Sequence, residues 1–203
     1  MRKKILISGG AGKFAEQLMI NGSENFDISA PTRRNMNISS PRDIYSNMVK
    51  FNPDYFIHAA AMTRPMKHHE IAPMKSMKIN IEGTCNVVDA CCTTGIKLIY
   101  ISTDYVYPGR EGDYREDDGV LPFTKYGWSK LGGECAVRMY DKSLILRIAM
   151  CEKPFPHPAA VVDVKKSSIF NDEAAKITLQ LLDESGIINI GGPNQSIYDF
   201  VKG

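Results

Sequence analysis

Several chemistries have no foothold in this chain. Its four histidines (His58, His68, His69, His157) show no HExxH or similar ligand spacing, so a metal centre is not expected. Its five cysteines (Cys85, Cys91, Cys92, Cys135, Cys151) form no paired CxxC units, and the adjacent Cys91 and Cys92 cannot both point the same way on a helix. An odd count without a framework spacing points to free thiols in a reducing compartment. Internal repeats and low-complexity linkers are missing too. Behind Met1-Arg2-Lys3-Lys4 the apolar run Ile5-Leu6-Ile7 stops at Gly9, too short for a signal peptide or a membrane span. A cytoplasmic location with no membrane partner is therefore expected. Charge of one sign is nearly balanced by the other, at a formal net charge of +2. That is too little for a nucleic-acid surface built on bulk charge. The basic clusters Arg2-Lys3-Lys4 and Lys165-Lys166 read as solvated surface.

What is there is an alternation of strand and helix signals. With 203 residues, 43% hydrophobic and 24% charged, the chain suits one compact domain, or one with a small annex. Short apolar strands are predicted at residues 4–8, 26–30, 55–61, 97–102, 144–148 and 186–190. Helical spacing falls at 14–20, 41–50, 74–94, 125–140 and 172–182. Ser40-Pro41 has the form of an N-cap followed by a first-turn proline. Gly83 sits inside the 74–94 helix and weakens it locally. Residues 151–168, with Pro154, Pro156 and Pro158 in alternation, read as an irregular connection. This order predicts an α/β fold: a doubly wound parallel sheet with helices on both faces.

The first strand runs into Ser8-Gly9-Gly10-Ala11-Gly12-Lys13-Phe14-Ala15 and then into a helix. That is the context of a dinucleotide-binding turn. Gly9 permits the tight turn, and Gly12 lets the backbone approach a pyrophosphate at the helix N-terminus. Ala15 takes the place of a third small residue. The second strand ends in Pro31-Thr32-Arg33-Arg34, with no acid there to hold a ribose 2′-hydroxyl. Two arginines at that place suit a 2′-phosphate, so NADP(H) is favoured, with NAD(H) as the alternative. The plainer reading makes both arginines surface residues.

Tyr126 and Lys130 lie four apart on a predicted helix and so share one face. A phenol has a pKa of about 10, and a neighbouring ammonium lowers it. Such a pair suits general acid/base work at a carbonyl or an alcohol. Thr103 closes the fourth strand, at the carboxyl edge where ligands of open α/β sheets bind. A strand-end threonine also serves simply to cap a turn.

Seven segments, in this order, are similar to the extended short-chain dehydrogenase/reductase superfamily. They are Ser8 to Gly12, Asn35 to Ser39, Asn52-Pro53-Asp54, His58 to Ala61, Asn80 to Thr84, Ile101 to Tyr107 and Tyr126 to Lys130. The Ser102-Thr103-Asp104-Tyr105-Val106 run resembles the dTDP-4-dehydrorhamnose reductase-like branch, which acts on nucleotide sugars. The resemblance is good over about residues 3–140 and weak thereafter. It implies a Rossmann-like fold and an NAD(P)-dependent oxidoreductase. It makes Tyr126 the proton donor, Lys130 the residue that holds the nicotinamide ribose and lowers the tyrosine pKa, and Thr103 a partner of the same carbonyl. It places Gly9, Gly12, Lys13, Phe14, Arg33, Arg34, Asn37, Ile38, Ala59, Ala60 and Ala61, with Tyr126 and Lys130, against the cofactor. Thr63, Thr103, Asp104 and Tyr105 fall on the substrate side, and Asn80 is a structural polar residue. The implied reaction is reduction of a keto group on an activated deoxysugar for polysaccharide biosynthesis. An NAD-dependent epimerase or dehydratase and a non-catalytic NADP-binding regulatory subunit are the alternatives.

The chain departs from that pattern in places. His58 stands where Asn is common, Met62 where Tyr is common, and Asn37 where Asp is usual. After Leu146-Arg147-Ile148 the expected continuation is missing. Residues 1–203 therefore read as one NAD(P)-binding domain in which 149–203 form a reduced substrate-side region. A homodimer would supply the missing wall, or the substrate is smaller.

Overall fold

The computed structural model describes residues 1–202. In order, β1 (Lys3–Ser8), α1 (Lys13–Gly22), β2 (Phe26–Ser29), α2 (Pro41–Phe51) and β3 (Tyr55–His58) lead to two short helices, α3 (Lys67–Ile71) and α4 (Pro73–Met77). A π turn (Lys78–Glu82), α5 (Gly83–Thr94), β4 (Lys97–Thr103), a 3-10 turn (Asp104–Val106), α6 (Lys125–Val137) and β5 (Ser143–Ile148) follow. The chain closes with β6 (Met150–Cys151), β7 (Lys165–Lys166), β8 (Ile169–Phe170), α7 (Asn171–Gln180), β9 (Gly186–Ile190), β10 (Gln195–Ser196) and α8 (Ile197–Lys202).

Six strands form one sheet in the order β2-β1-β3-β4-β5-β9, and every neighbouring pair is parallel. Strand residues alternate between two cores, as the period of a pleated strand requires. Ile5, Ile7, Ile57, Ile99, Ile101, Leu144 and Leu146 pack with α1 and α7. Leu6, Phe56, Leu98, Tyr100 and Ile145 pack with α2 and α5. Both faces are covered, which explains why the central strands read as unbroken apolar runs. The predicted Rossmann-like architecture is the one observed. Residues 171–190 belong to it, because α7 lies on the α1 face and β9 completes the sheet.

The strand order reverses between β1 and β3, and in open parallel sheets ligands bind at that switch point, beyond the carboxyl ends of the strands. Two elements differ from the sequence expectation there. The third strand ends at His58, and Ala59 to Ala61 leave the ladder as a loop over this edge. The 74–94 helix is broken by the π turn, which begins a few residues after Pro73. At that turn the Asn80 carbonyl accepts from Thr84 Oγ1 at 2.7 Å, and the Asn80 side chain grips the Met62 backbone at both its N–H (2.7 Å) and C=O (2.9 Å). The connection 151–168 is irregular as expected, apart from β7, which pairs antiparallel with β10. Cys91 is buried and Cys92 exposed, on opposite sides of α5, and all five cysteines are free. No described helix is long and apolar enough to cross a membrane.

Candidate active site

The glycine loop fills the switch point. Gly9 has φ of +82°, and a Cβ there would lie 2.9 Å from the backbone of Ala60. Only glycine satisfies both demands. Gly10 N–H donates to the Pro31 carbonyl at 3.1 Å, and Gly12 N–H to Gly9 at 2.9 Å, so the loop is held from both sides. Gly12 then caps α1 with no side-chain bond, whereas Ser40 caps α2 and Thr124 caps α6. The first-turn amides of α1, at Lys13 and Phe14, are thus left without a side-chain acceptor, the arrangement that suits a phosphate. The side chains of these two residues point to other tasks: Phe14 is in the core, and Lys13 pairs with Glu16 at 3.4 Å.

Arg33 and Arg34 lie exposed in the turn after β2, and among the described residues neither forms an ion pair or a side-chain hydrogen bond. Asn37 Oδ1 accepts from Ser39 N–H at 3.1 Å, and its own N–H donates to Asp43 at 3.2 Å, so its side chain is partly spent on a local turn. Ile38 is buried against the Gly83 backbone and contributes to the core. Ala59, Ala60 and Ala61 are half-buried along the loop.

At the carboxyl end of β4, Thr103 caps the 3-10 turn, accepting from Tyr105 N–H at 3.3 Å and donating to Asp104 Oδ1 at 3.2 Å. The modest capping role is therefore real, and the same hydroxyl also acts on Tyr126. Burial pushes the Tyr126 phenol well above its usual range, opposed by the neighbouring Thr103 hydroxyl and, more distantly, by the Arg64 charge. The sequence expectation was a lowered value. Burial outweighs the lowering contributions at the phenol, and Lys130 Nζ lies 4.0 Å from the centroid of another ring, that of Tyr100. Burial draws Lys130 down to about 7, with Glu134 pulling the other way.

Around Tyr126, Tyr105 packs edge-on at 5.8 Å between centroids and His69 at 5.1 Å. Tyr105 also stacks on Phe123 at 6.0 Å. Lys166 pairs with Asp104 Oδ2 at 2.8 Å and sits 4.4 Å over the Tyr105 ring, so it is part of this wall rather than solvated surface. Arg64 bridges to Glu152 at 3.1 Å on the rim. Thr63 is exposed beside it, its carbonyl accepting from the His69 ring at 3.0 Å.

A chain of buried hydrogen bonds joins the two halves of the site. Ala60 N–H donates to Ser8 Oγ at 3.2 Å, and Ser8 lies 2.8 Å from His58 Nδ1. His58 Nε2 lies 3.0 Å from Thr84 Oγ1. Thr84 spends its hydrogen on the Asn80 carbonyl, so His58 donates from Nε2 and accepts at Nδ1. Asn80 Nδ2 donates to Ser129 Oγ at 2.8 Å, and Ser129 donates to the Tyr126 carbonyl at 2.8 Å.

Residues 2–151 match the model of the RmlD substrate-binding-domain family. The chain belongs to that family. It is 32% identical over 152 residues to a dTDP-4-dehydrorhamnose reductase of Streptomyces griseus, across 73% of this chain and 50% of the relative. It is 29% identical over 145 residues to a methionine adenosyltransferase 2 subunit beta of Bos taurus, across 66% of this chain and 42% of that protein. The chain thus spans about half the length of the curated relatives it matches. Among solved structures, a dTDP-4-dehydrorhamnose reductase of Bacillus anthracis in complex with NADP superposes with a TM-score of 0.90 at 26% identity, over 100% of this chain and 79% of that one. The Bordetella bronchiseptica enzyme WbmG, in complex with NAD, shares the fold with a TM-score of 0.82 at 19% identity, over 100% of this chain and 77% of its own.

The family match in sequence ends soon after β5, while the structural likeness continues through the whole chain. Within this RmlD-family fold, the glycine loop, the two arginines and the Thr103, Tyr126 and Lys130 set were open to reading in the sequence as candidates. Tyr100, His69, Arg64 and Lys166 were not among them. Tyr100 shares the strand parity of Leu98, which faces the α2 and α5 side, so its direction was open to reading; the residue that would come to rest on it was not.

Proposed function

We propose that this chain is an NADP(H)-dependent reductase of the short-chain dehydrogenase/reductase type, acting on the keto group of a nucleotide-activated deoxysugar. The observation that carries the reading is the meeting of Thr103 and Tyr126 at the end of β4, with Lys130 one turn behind on α6 and the uncapped glycine loop at the same sheet edge, after β1 two strands away. The names of the reductase relatives, and the NADP complex of one of them, support the choice of cofactor and substrate class. The residues fit a dinucleotide: a loop that only glycine can form, free first-turn amides and two unpaired arginines.

In this reading the amides behind Gly12 receive the pyrophosphate, and Arg33 and Arg34 receive the 2′-phosphate. Ala59 to Ala61 leave room for the cofactor, and Asn37 and Ile38 lie at its adenine end. When bound, NADPH supplies the hydride to the carbonyl carbon. Thr103 and Tyr126 hold the carbonyl oxygen, and Tyr126 gives it a proton as its electron pair forms. The raised phenol pKa keeps that proton in place at neutral pH, the state a donor requires. Lys130 binds the ribose and restores the proton balance of the tyrosine. Thr63, Asp104 and Tyr105 line the substrate side, and a second copy of the chain completes its wall. The work is placed in the cytoplasm, in polysaccharide synthesis.

NADPH oxidation across a panel of keto-sugar nucleotides and small ketones tests this. Turnover on a sugar nucleotide is expected, with Tyr126→Phe losing at least about 100-fold while NADPH still raises the melting temperature. Activity confined to small ketones would replace the substrate class. A second reading, a non-catalytic NADP-binding regulatory subunit, draws on the relative named as a subunit beta. NADPH binding without oxidation anywhere on the panel would favour it, and binding of neither dinucleotide would remove both.

A further inference from the structure

Lys130 is buried, and its charge has an unusual companion. Among the described residues no side chain or carbonyl accepts a hydrogen bond from its Nζ. Glu134 is one turn along the same helix, but its carboxylate is spent elsewhere. Arg147 donates to it from Nε at 3.2 Å and from Nη2 at 2.8 Å, and Ser102 Oγ donates to it at 2.5 Å. His58, on β3, faces Lys130 as a neutral ring, since burial first and the Lys130 charge second hold it down to about 3. Tyr126, on α6, is protonated. Asn80 and Thr84, from the π turn and α5, offer no charge. What remains is Tyr100 on β4, itself fully buried, with its ring centroid 4.0 Å from the ammonium.

Tyr100 is also fixed against α6 by two further contacts. Its hydroxyl donates to the backbone carbonyl of Lys130 at 3.2 Å. Gly133, on the next turn, has no Cβ because one would run into that hydroxyl. The ring is therefore locked in position beneath the lysine, and its negative face lies against the cation, beside the more widely shared charge of Glu134.

We propose that Tyr100 is a positioning residue for Lys130: its ring face holds the ammonium charged and in place at the floor of the site, ahead of any ligand. The consequence for the reaction rests on the role given to Lys130 above; the contact itself does not. A buried cation–π contact is strong enough to move the lysine ionisation by about one pH unit. The sign follows from the physics. The ring favours the charged form, so removing its negative face lowers the Lys130 midpoint, and the ammonium is lost at a lower pH.

The test reads Lys130 directly, without substrate or cofactor. Trace acetylation of the intact protein with acetic anhydride, followed by mass spectrometry of the Lys130 peptide from pH 5 to 10, yields its midpoint. Tyr100→Phe, which keeps the ring and loses the hydroxyl, is expected to hold the midpoint close to that of the unsubstituted chain. Tyr100→Leu is expected to lower it by about one unit. Because Leu also leaves a gap in the core, tetrafluorophenylalanine at position 100 serves as the second variant. It keeps the shape and removes the negative face, and the same fall is expected. An unchanged midpoint in the fluorinated variant overturns the proposal, as does a Phe variant that falls as far as the fluorinated one. A shifted midpoint in a chain that oxidises no NADPH would leave this contact standing and remove the reductase reading instead.

Discussion

His58 sits between two hydroxyls, Ser8 at 2.8 Å and Thr84 at 3.0 Å, and their bonding pattern matches a neutral ring with its hydrogen on Nε2. Protonation would put a second hydrogen on Nδ1, where the Ser8 hydroxyl hydrogen now points. Burial holds the histidine down to about 3 in the folded chain, against about 6.5 when unfolded. The unfolded state therefore binds more protons between those values, and folding stability falls as pH drops through that window. The expected loss from this one group between pH 7 and pH 4.5 is about 2.5 kcal/mol. Urea unfolding at the two pH values should show it, and His58→Asn, which has nothing to protonate, should flatten that part of the dependence even if it is less stable throughout. Arg33 and Arg34 carry a different residue-scale expectation. Replacing both with Ala should weaken NADPH binding by roughly tenfold or more, since charge-assisted bonds are lost, and leave NADH within about twofold. Equal losses, read by fluorescence titration, would argue against 2′-phosphate recognition.

At the scale of elements, the β1–loop–α1 unit was legible because each part has a local cause. Ile5 to Ile7 make a strand that is apolar on both faces, and Gly9 is required by a positive φ and by the Ala60 backbone pressed against it. Gly9→Ala should therefore cost roughly 1–3 kcal/mol in chemical denaturation and weaken NADPH binding in parallel. Binding retained at full strength would show that the loop shape is not what the ligand reads. The segment 74–94 was less legible. Its helical spacing is continuous, yet the π turn interrupts it so that Asn80 can reach Met62 on one side and Ser129 on the other. Those partners lie 18 and 49 residues away along the chain, outside any local pattern. Likewise β3 ends at His58 because Ala60 spends its N–H on Ser8 Oγ, a choice made by a neighbouring strand.

Across the whole molecule, one buried ion pair ties α6 to the sheet and to the loop beyond β4. Glu134 on α6 meets Arg147 on β5 at 2.8 Å, and both are almost wholly buried. Arg147 Nη1 continues to the Tyr107 hydroxyl at 2.8 Å, and Tyr107 reaches Asn189 on β9 at 2.9 Å. Removing one partner strands the other charge in the core. Arg147→Met is expected to destabilise the fold by about 3–5 kcal/mol, and Glu134→Leu combined with Arg147→Met to recover much of that, by urea unfolding. If the double variant were no better than the single one, the stranded charge would not be the cause.

The alternation of strands and helices, the two-faced parallel sheet, the glycine turn after β1 and the shared face of Tyr126 and Lys130 were set by spacing along the chain, because periodicity and turn chemistry are properties of near neighbours; the order of strands across the sheet was not. Three things were settled only when the chain folded: the proton affinity of Tyr126, the companion of Lys130, and the enlistment of Lys166 into the site wall. Tyr100 lies 30 residues before Lys130, and Lys166 finds Asp104 from the far side of β5. Burial and charge are sums over every group that packs nearby, whatever its place in the chain. The Tyr126 and Lys130 pair was therefore visible as a candidate from its spacing, while the ring against which the Lys130 ammonium rests, Tyr100, is contributed by another strand.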